Sequence, residues 1–265
     1  RTDMRVVIQE NYENMCKWAA DHITAKIMNH KEDRPFVLCL PTGSSAVGVY
    51  RELIRKNQAK EVSFANVVTF NMDEYLGLPR EHDRSFWYFM HDTFFDHVDI
   101  PAENINMLDG MTGDPEGECA RYEAKIAACG GIDLCMGGIG VDGHLAFNEP
   151  FTSLTSRTGV RDLTTDTRIA NSRFFGNDPE KVPAQALSVG IGTVTDSKEV
   201  LILISGHNKA RALAATVEGS VSHKWTCSAL QMHSNAVIAC DEAACGELTV
   251  DTYKYFLDIE KKERI

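Results

Sequence analysis

Five short apolar runs punctuate the chain: Phe36 to Leu40 (FVLCL), Val67 to Phe70 (VVTF), Ile132 to Met136 (IDLCM), Val200 to Ile204 (VLILI) and Ala236 to Cys240 (AVIAC). Stretches with a helical pattern separate them. Continuous apolar runs of this length suit strands buried on both faces. Their alternation with helices predicts an α/β fold with a mostly parallel central sheet covered by helices on both faces. Met15, Ala19, Ile23 and Ile27 recur every four residues between Asn11 and Asn29, which marks an amphipathic first helix. No repeat, low-complexity tract or Gly/Ser/Pro linker divides the 265 residues, so one domain spanning 1–265 is expected. The most polar long stretch, Arg161 to Pro183, reads as a surface excursion or as a lid over a site, at about 161–186.

Charge and cysteine usage narrow the functional classes. A formal net charge of -11, from 27 basic and 38 acidic residues, argues against a nucleic-acid surface or an anionic membrane as the main partner. Any anionic ligand is then held by local features. The eight cysteines include no C-x-x-C pair, and Cys39, Cys135 and Cys240 lie inside apolar runs. They read as reduced thiols. The amino end, RTDMRVVIQE, lacks an apolar core long enough for a signal peptide, and no run approaches the ~18 apolar residues of a membrane span. A cytoplasmic protein is expected.

Chemistry-bearing residues gather where the apolar runs end, and open α/β sheets keep their sites at that edge. FVLCL runs into PTGSSAVGVY, so Thr42, Gly43, Ser44 and Ser45 lie where a turn hands over to a helix beginning near Ala46. Backbone N–H groups, hydroxyls and a helix dipole converge there, as a phosphate requires. The loop lacks the Walker A spacing, which favours a phosphorylated small molecule over a nucleotide. VLILI ends in SGHNKARAL and places Lys209 at the first turn of a helix, against the usual dipole preference, as beside a ligand anion. Arg173 is a candidate second phosphate contact because its fork can grip two oxygens.

VVTF ends in NMDEYLGLP and brings Asp73 and Glu74 to the same edge, where at most one of the two adjacent side chains can face a site. IDLCM runs into GGIGVDGHLAFNEP, where Gly137 and Gly138 are expected to turn the chain sharply. There Asp142 and Glu149 flank His144. Carboxylates beside a histidine can hold its tautomer and stabilise its protonated form, which suits proton transfer.

LPTGSS, FNMDEYLGLP, GGIGVDGHLAFNEP and SRFFGNDPEKVPAQALSVGIGT together resemble the glucosamine-6-phosphate deaminase (glucosamine-6-phosphate isomerase) family over nearly the whole chain. The resemblance implies a Rossmann-like three-layer fold. It also implies reversible conversion of glucosamine 6-phosphate and water to fructose 6-phosphate and ammonia, without metal or organic cofactor. Carried onto this sequence, it makes Asp73 the base that takes the C2 proton of the open-chain sugar and returns one at C1. His144 would catalyse ring opening, with Asp142 and Glu149 orienting it. The phosphate pocket maps onto Thr42, Gly43, Ser44, Ser45, Arg173 and Lys209.

The sequence departs from the family pattern at several places. SSAVG replaces a Thr-Pro pair, and Val141 stands where Pro or Asn is usual; both are expected to alter loop stiffness without removing a reacting group. Members activated by N-acetylglucosamine 6-phosphate carry a basic residue where this chain has Gly159. A degenerate effector site of Thr152, Arg161 and Tyr255 is therefore expected, since each lost charge-assisted hydrogen bond costs about 1.5–3 kcal/mol. Activation should be weak or absent. The family also implies a homo-oligomer.

Three competing readings remain. Lactone hydrolysis, as in the related 6-phosphogluconolactonases, needs no carbon acid/base and leaves Asp73 unexplained. A sugar-phosphate sensor would carry a DNA-binding segment, which the single clear helix before Phe36 does not supply. Metal catalysis through Asp142, His144 and Glu149 would rest on one histidine, a poor ligand set for Zn2+.

Overall fold

Each of the five apolar runs forms a strand, and alternate side chains along each strand divide between two cores. Residues 3–263 are described by a computed structural model; Arg1 and Thr2 of the RTDMRVVIQE stretch, Arg264, Ile265 and the side chain of Glu263 lie outside it. The first half of the chain forms β1 (Arg5–Gln9), α1 (Tyr12–Met28), β2 (Phe36–Leu40), α2 (Ser44–Gln58), β3 (Val67–Asn71), β4 (Asp73–Tyr75), α3 (Phe86–Thr93), β5 (Ile105–Asn106) and α4 (Pro115–Ala128). The second half forms β6 (Leu134–Gly138), β7 (Gly159–Asp162), α5 (Thr165–Asn171), β8 (Gln185–Ser188) and α6 (Ile191–Thr195). β9 (Glu199–Ile204), α7 (Ala210–Val217), β10 (Ala236–Asp241) and α8 (Val250–Glu263) complete it.

Seven strands pair in the order β1-β10-β9-β6-β2-β3-β5, all parallel. Period-two alternation sends Val37, Cys39, Cys135, Val200 and Ile202 to a core that includes Tyr122 and Ile126 of α4 and Leu213 of α7. Leu38, Leu40, Leu134, Met136 and Leu201 go to a second core with Met15, Ala19 and Ile23 of α1 and Val49 and Leu53 of α2. The sheet is therefore the middle of three layers, a Rossmann-like α/β fold. α1 spans the expected segment because Asn11 caps it, its side chain accepting the Asn14 N–H at 2.9 Å.

Strand order reverses once. From β2 the chain moves outward through β3 to β5, then returns to set β6 on the other flank of β2 and continues through β9 to β10. The loops leaving β2 and β6 emerge at the carboxyl edge where strand order reverses, the position at which open α/β sheets take their ligands.

The structure corrects the expected sharp turn at Gly137 and Gly138. Both glycines are paired inside β6, opposite Ile202 and Leu203. A Cβ on Gly137 would stand 3.2 Å from Ile202 Cδ1 and from Met72 Cε, so these side chains pack closely over the glycine. Ile132 and Asp133 precede the strand. Asp133 instead binds Arg34 through both oxygens, at 2.6 and 2.8 Å, and accepts the Val37 N–H at 2.8 Å.

A second, antiparallel sheet in the order β4-β8-β7 has no counterpart among the sequence expectations, and β1 is also an addition. The polar 161–186 segment lies largely in this layer, with α5 between its strands. Its core is small: Tyr75, Phe147, Leu163, Phe175, Val182 and Ala186. All eight cysteines are free and seven are buried. No helix among the described residues is long and apolar enough to cross a membrane.

Leu38 lies on a central strand and is fully buried. Leu38→Ala should lower the unfolding free energy by about 2–5 kcal/mol, read as a reduced urea midpoint at unchanged m value.

Candidate active site

The loop after β2 hands over directly to the first turn of α2. Gly43, at φ +100°, is a backbone position L side chains rarely adopt, and it caps α2 without a side-chain acceptor. No acidic residue occupies the first turn of this 15-residue helix; the Ala46 N–H bonds the Gly43 carbonyl at 3.3 Å, and no side chain caps the turn. Thr42, Ser44 and Ser45 surround this point. The Ser45 side chain lies against β6, its Cβ 3.7 Å from where a Gly138 Cβ would stand.

Lys209 reaches the same place from β9. It closes the short helical turn His207–Lys209, and its Nζ donates to the carbonyl of Ile139, one residue beyond β6. Burial holds the ammonium below its ordinary pKa; the Asp142 charge acts upward and that of Arg173 downward. Arg173 is exposed, lies 4.6 Å over the Phe174 ring, and has no carboxylate partner among the described residues.

Asp73 and Glu74 separate as extended backbone requires. Glu74 accepts the N–H groups of Tyr75, Phe86 and Trp87, each at 2.9 Å, and so anchors the start of α3. Asp73 is buried, and no protein hydrogen bond reaches its carboxylate among the described residues. Burial, reinforced by the Glu74 charge and opposed by His144, pushes its pKa up to about 7. An unpartnered carboxylate in that range is poised to take and return a proton near neutral pH.

The loop after β6 makes an Asp–His pair. Gly143 at φ +78° turns the chain back, its N–H bonding the Gly140 carbonyl at 2.9 Å, and Asp142 Oδ1 meets His144 Nδ1 at 2.6 Å. With the Nδ1 proton shared with Asp142, Nε2 is left to exchange protons with a ligand. Although burial acts against it, the His144 hydrogen bond holds Asp142 below its ordinary pKa. Gly140 makes room: a Cβ there would stand 2.2 Å from His144 Cε1. Glu149 is buried, and burial raises its pKa although Thr167 Oγ1 donates to it at 2.5 Å. Its second oxygen has no protein partner. Donor atoms of Asp142, His144 and Glu149 lie within 4.8 Å of one another.

Several supporting residues escaped sequence reasoning. Thr226 holds the loop from a distant segment, its Oγ1 donating to the Asn148 carbonyl at 3.0 Å and accepting the Leu145 N–H at 3.2 Å. Asn148 bonds the carbonyls of Leu145 and Val189 and accepts from Arg161 Nε at 3.0 Å. Thr167 carries no motif; only the polarity of its segment hinted at a role.

Each of the expected effector residues has its own local partners. Arg161 is engaged by Asn148 and by the carbonyls of Val160 and Arg157, and a Cβ on Gly159 would stand 2.6 Å from its guanidinium. Thr152 donates its N–H to the Glu149 carbonyl at 3.1 Å, whereas Tyr255 is exposed on α8 beside Phe256.

A helix start free of acidic residues, a lysine, a buried carboxylate and an Asp–His pair at the carboxyl edge of a parallel sheet are the parts of an α/β enzyme. The family model for glucosamine-6-phosphate isomerases/6-phosphogluconolactonase matches residues 10–239, and the chain belongs to that family. The glucosamine-6-phosphate deaminase of Parabacteroides distasonis is 58% identical over 260 residues, covering 97% of this chain and 96% of its own. That of Porphyromonas gingivalis is 55% identical over 262 residues, covering 97% and 99%. A solved structure described as a monomeric glucosamine-6-phosphate deaminase matches at TM-score 0.87 and 41% identity, over 91% of this chain and 98% of its own. The 6-phosphogluconolactonase from Leishmania guyanensis, at TM-score 0.73 and 20% identity over 93% and 99%, shares the fold.

The raised pKa of Asp73 carries a stability cost. A carboxyl whose folded pKa of about 7 lies above its ordinary value of 3.8 contributes stability that is fully present only below pH about 4. That contribution is lost as pH rises through about 7. Asp73→Asn, which stays neutral, should raise stability at pH 8 by on the order of 2–4 kcal/mol and by much less at pH 4. Thermal unfolding at the two pH values checks this.

Proposed function

We propose that this chain is a glucosamine-6-phosphate deaminase, converting glucosamine 6-phosphate and water reversibly to fructose 6-phosphate and ammonia. The observation that carries the reading is Asp73, a buried carboxylate with no protein partner and a pKa of about 7 at the crevice. Moving hydrogen from C2 to C1 of an open-chain aldose needs one base that accepts and then returns the proton on the same face. A carboxyl titrating near the working pH does both.

His144 opens the ring. Its Nε2 takes the proton of the anomeric hydroxyl and delivers one to the ring oxygen, while Asp142 stabilises the imidazolium formed between these steps. Glu149 orients that pair from below. Once Asp73 has moved the hydrogen, the C2 imine takes up water and releases ammonia, giving the ketose. The phosphate is held by the first turn of α2 with Thr42, Gly43, Ser44 and Ser45, by Lys209, and by Arg173 from the 161–186 segment. Thr167 on Glu149 and Arg173 beside Lys209 link that segment to both halves of the site, which supports its action as a lid.

The eight free thiols support residence in the reducing cytoplasm. A homo-oligomer is proposed as well; the exposed Phe151, Met232, Val250 and Tyr255 supply apolar surface for it. The internal commitments of Arg161 support weak or absent activation by N-acetylglucosamine 6-phosphate.

Lactone hydrolysis is the alternative activity, and it would use the Asp–His pair while leaving Asp73 idle. Incubation with glucosamine 6-phosphate should release fructose 6-phosphate along a hyperbolic rate curve, insensitive to N-acetylglucosamine 6-phosphate. The rate should fall up to tenfold per pH unit below about 7 as Asp73 protonates. Asp73→Asn should lower kcat about 10²–10⁴-fold, with 6-phosphogluconolactone untouched by either form. Lactone turnover that survives Asp73→Asn, with no ketose formed, would sink the deaminase reading.

A further inference from the structure

We propose that Asp241 is a positioning residue for phosphate binding: it holds the turn that delivers Lys209 to the crevice. The proposal rests on reading Lys209 as a phosphate contact. Asp241 is the last residue of β10, 5% exposed, at the carboxyl edge of the sheet. Its Oδ1 accepts the N–H groups of Gly206 and Ala244, both at 3.0 Å, and its Oδ2 accepts the Ser205 hydroxyl at 2.5 Å. No cation pairs with it among the described residues. The buried charge is satisfied by the turn itself.

The turn's other polar restraints are within itself and at the Lys209 ammonium, which donates to the Ile139 carbonyl. Gly206 sits at φ +94°, and the Lys209 N–H closes back on its carbonyl at 3.1 Å. One carboxylate therefore grips Ser205 and Gly206, the two residues from which the short helical turn to Lys209 starts. Lys209 needs this control because burial disfavours its charge, and a loosened turn would let the ammonium swing toward water. The same carboxylate binds Ala244 in the segment after β10, so the backbone beyond two neighbouring strands is locked as one unit.

Among the described residues no hydrogen bond or ion pair joins Asp241 to Asp73 or to the Asp142, His144 and Glu149 cluster, and β9 separates β10 from β6. Its loss should therefore weaken ground-state and transition-state binding of the phosphate alike. That signature raises KM and spares kcat.

The test compares full-length wild type with Asp241→Ala, Asp241→Asn and Ser205→Ala, using steady-state kinetics on glucosamine 6-phosphate and calorimetric titration with inorganic phosphate. Asp241→Ala should raise both KM and the phosphate Kd about tenfold, with kcat within about threefold of wild type. Asp241→Asn keeps an oxygen for the two N–H groups and should restore both constants to within about threefold. Ser205→Ala should raise them about two- to threefold. A folded Asp241→Ala protein with wild-type phosphate Kd, or one whose loss falls on kcat, overturns the proposal. If Asp241→Ala does not fold, an unchanged phosphate Kd in Ser205→Ala overturns it. A wild type that turns over no amino sugar, while Asp241→Ala still loses phosphate affinity, removes the deaminase reading and leaves Asp241 in its role.

Discussion

The parallel pairing of β2 with β6, Leu38 opposite Leu134 and Cys39 opposite Cys135, is the contact on which the site depends. These strands are distant in sequence and lie side by side because the chain reverses its direction of sheet growth between them. Their outgoing loops leave the same edge at the point where strand order reverses, which is where open α/β sheets take their ligands. One loop supplies a bare helix start and the other an Asp–His pair. β3 and β9 flank the pair, and the segments that follow them bring Asp73 and Lys209 to the same edge.

Electrostatics within the crevice are arranged to oppose stability locally. Asp73 is buried without a partner, Lys209 is partly desolvated, and Glu149 keeps one oxygen unpaired. Carboxylates elsewhere behave differently: Glu123, bound by Thr158, Thr193 and Arg157, is held down to about 2, and Asp133 is fixed by Arg34. The contrast separates groups kept reactive from groups used as struts. Native packing around the sheet tolerates the former because two large cores, one on each face, supply the stability.

Glycine placement connects the chemistry to the chain. Gly140 and Gly143 permit the His144 ring to fold against Asp142, one by lacking a Cβ and the other by its positive φ. Gly137 does neither; it serves close packing inside β6 against Met72 and Ile202. In the sequence the three are alike, each a glycine near DGH. Only their distances from side chains on other strands separate the turn from the packing contact, which is why the sharp turn was expected too early.

Much of the architecture was legible because its causes are local. Apolar runs such as FVLCL and VLILI must be buried on both faces, and the residues that follow them must emerge at one edge of a parallel sheet, so Thr42, Asp73, His144 and Lys209 could be placed together before any coordinate. The choice of Asp73 over Glu74 was constrained in kind by alternation, but its outcome was decided by the α3 N–H groups that claim Glu74. The antiparallel layer of β4, β7 and β8, the seating of Thr167 on Glu149 and of Thr226 beneath the DGH loop, and the grip of Asp241 on Ser205 were decided by tertiary structure alone. Each joins residues far apart in the chain through single hydrogen bonds, and no periodicity or motif records which distant donor will meet which acceptor until the sheet has brought them together.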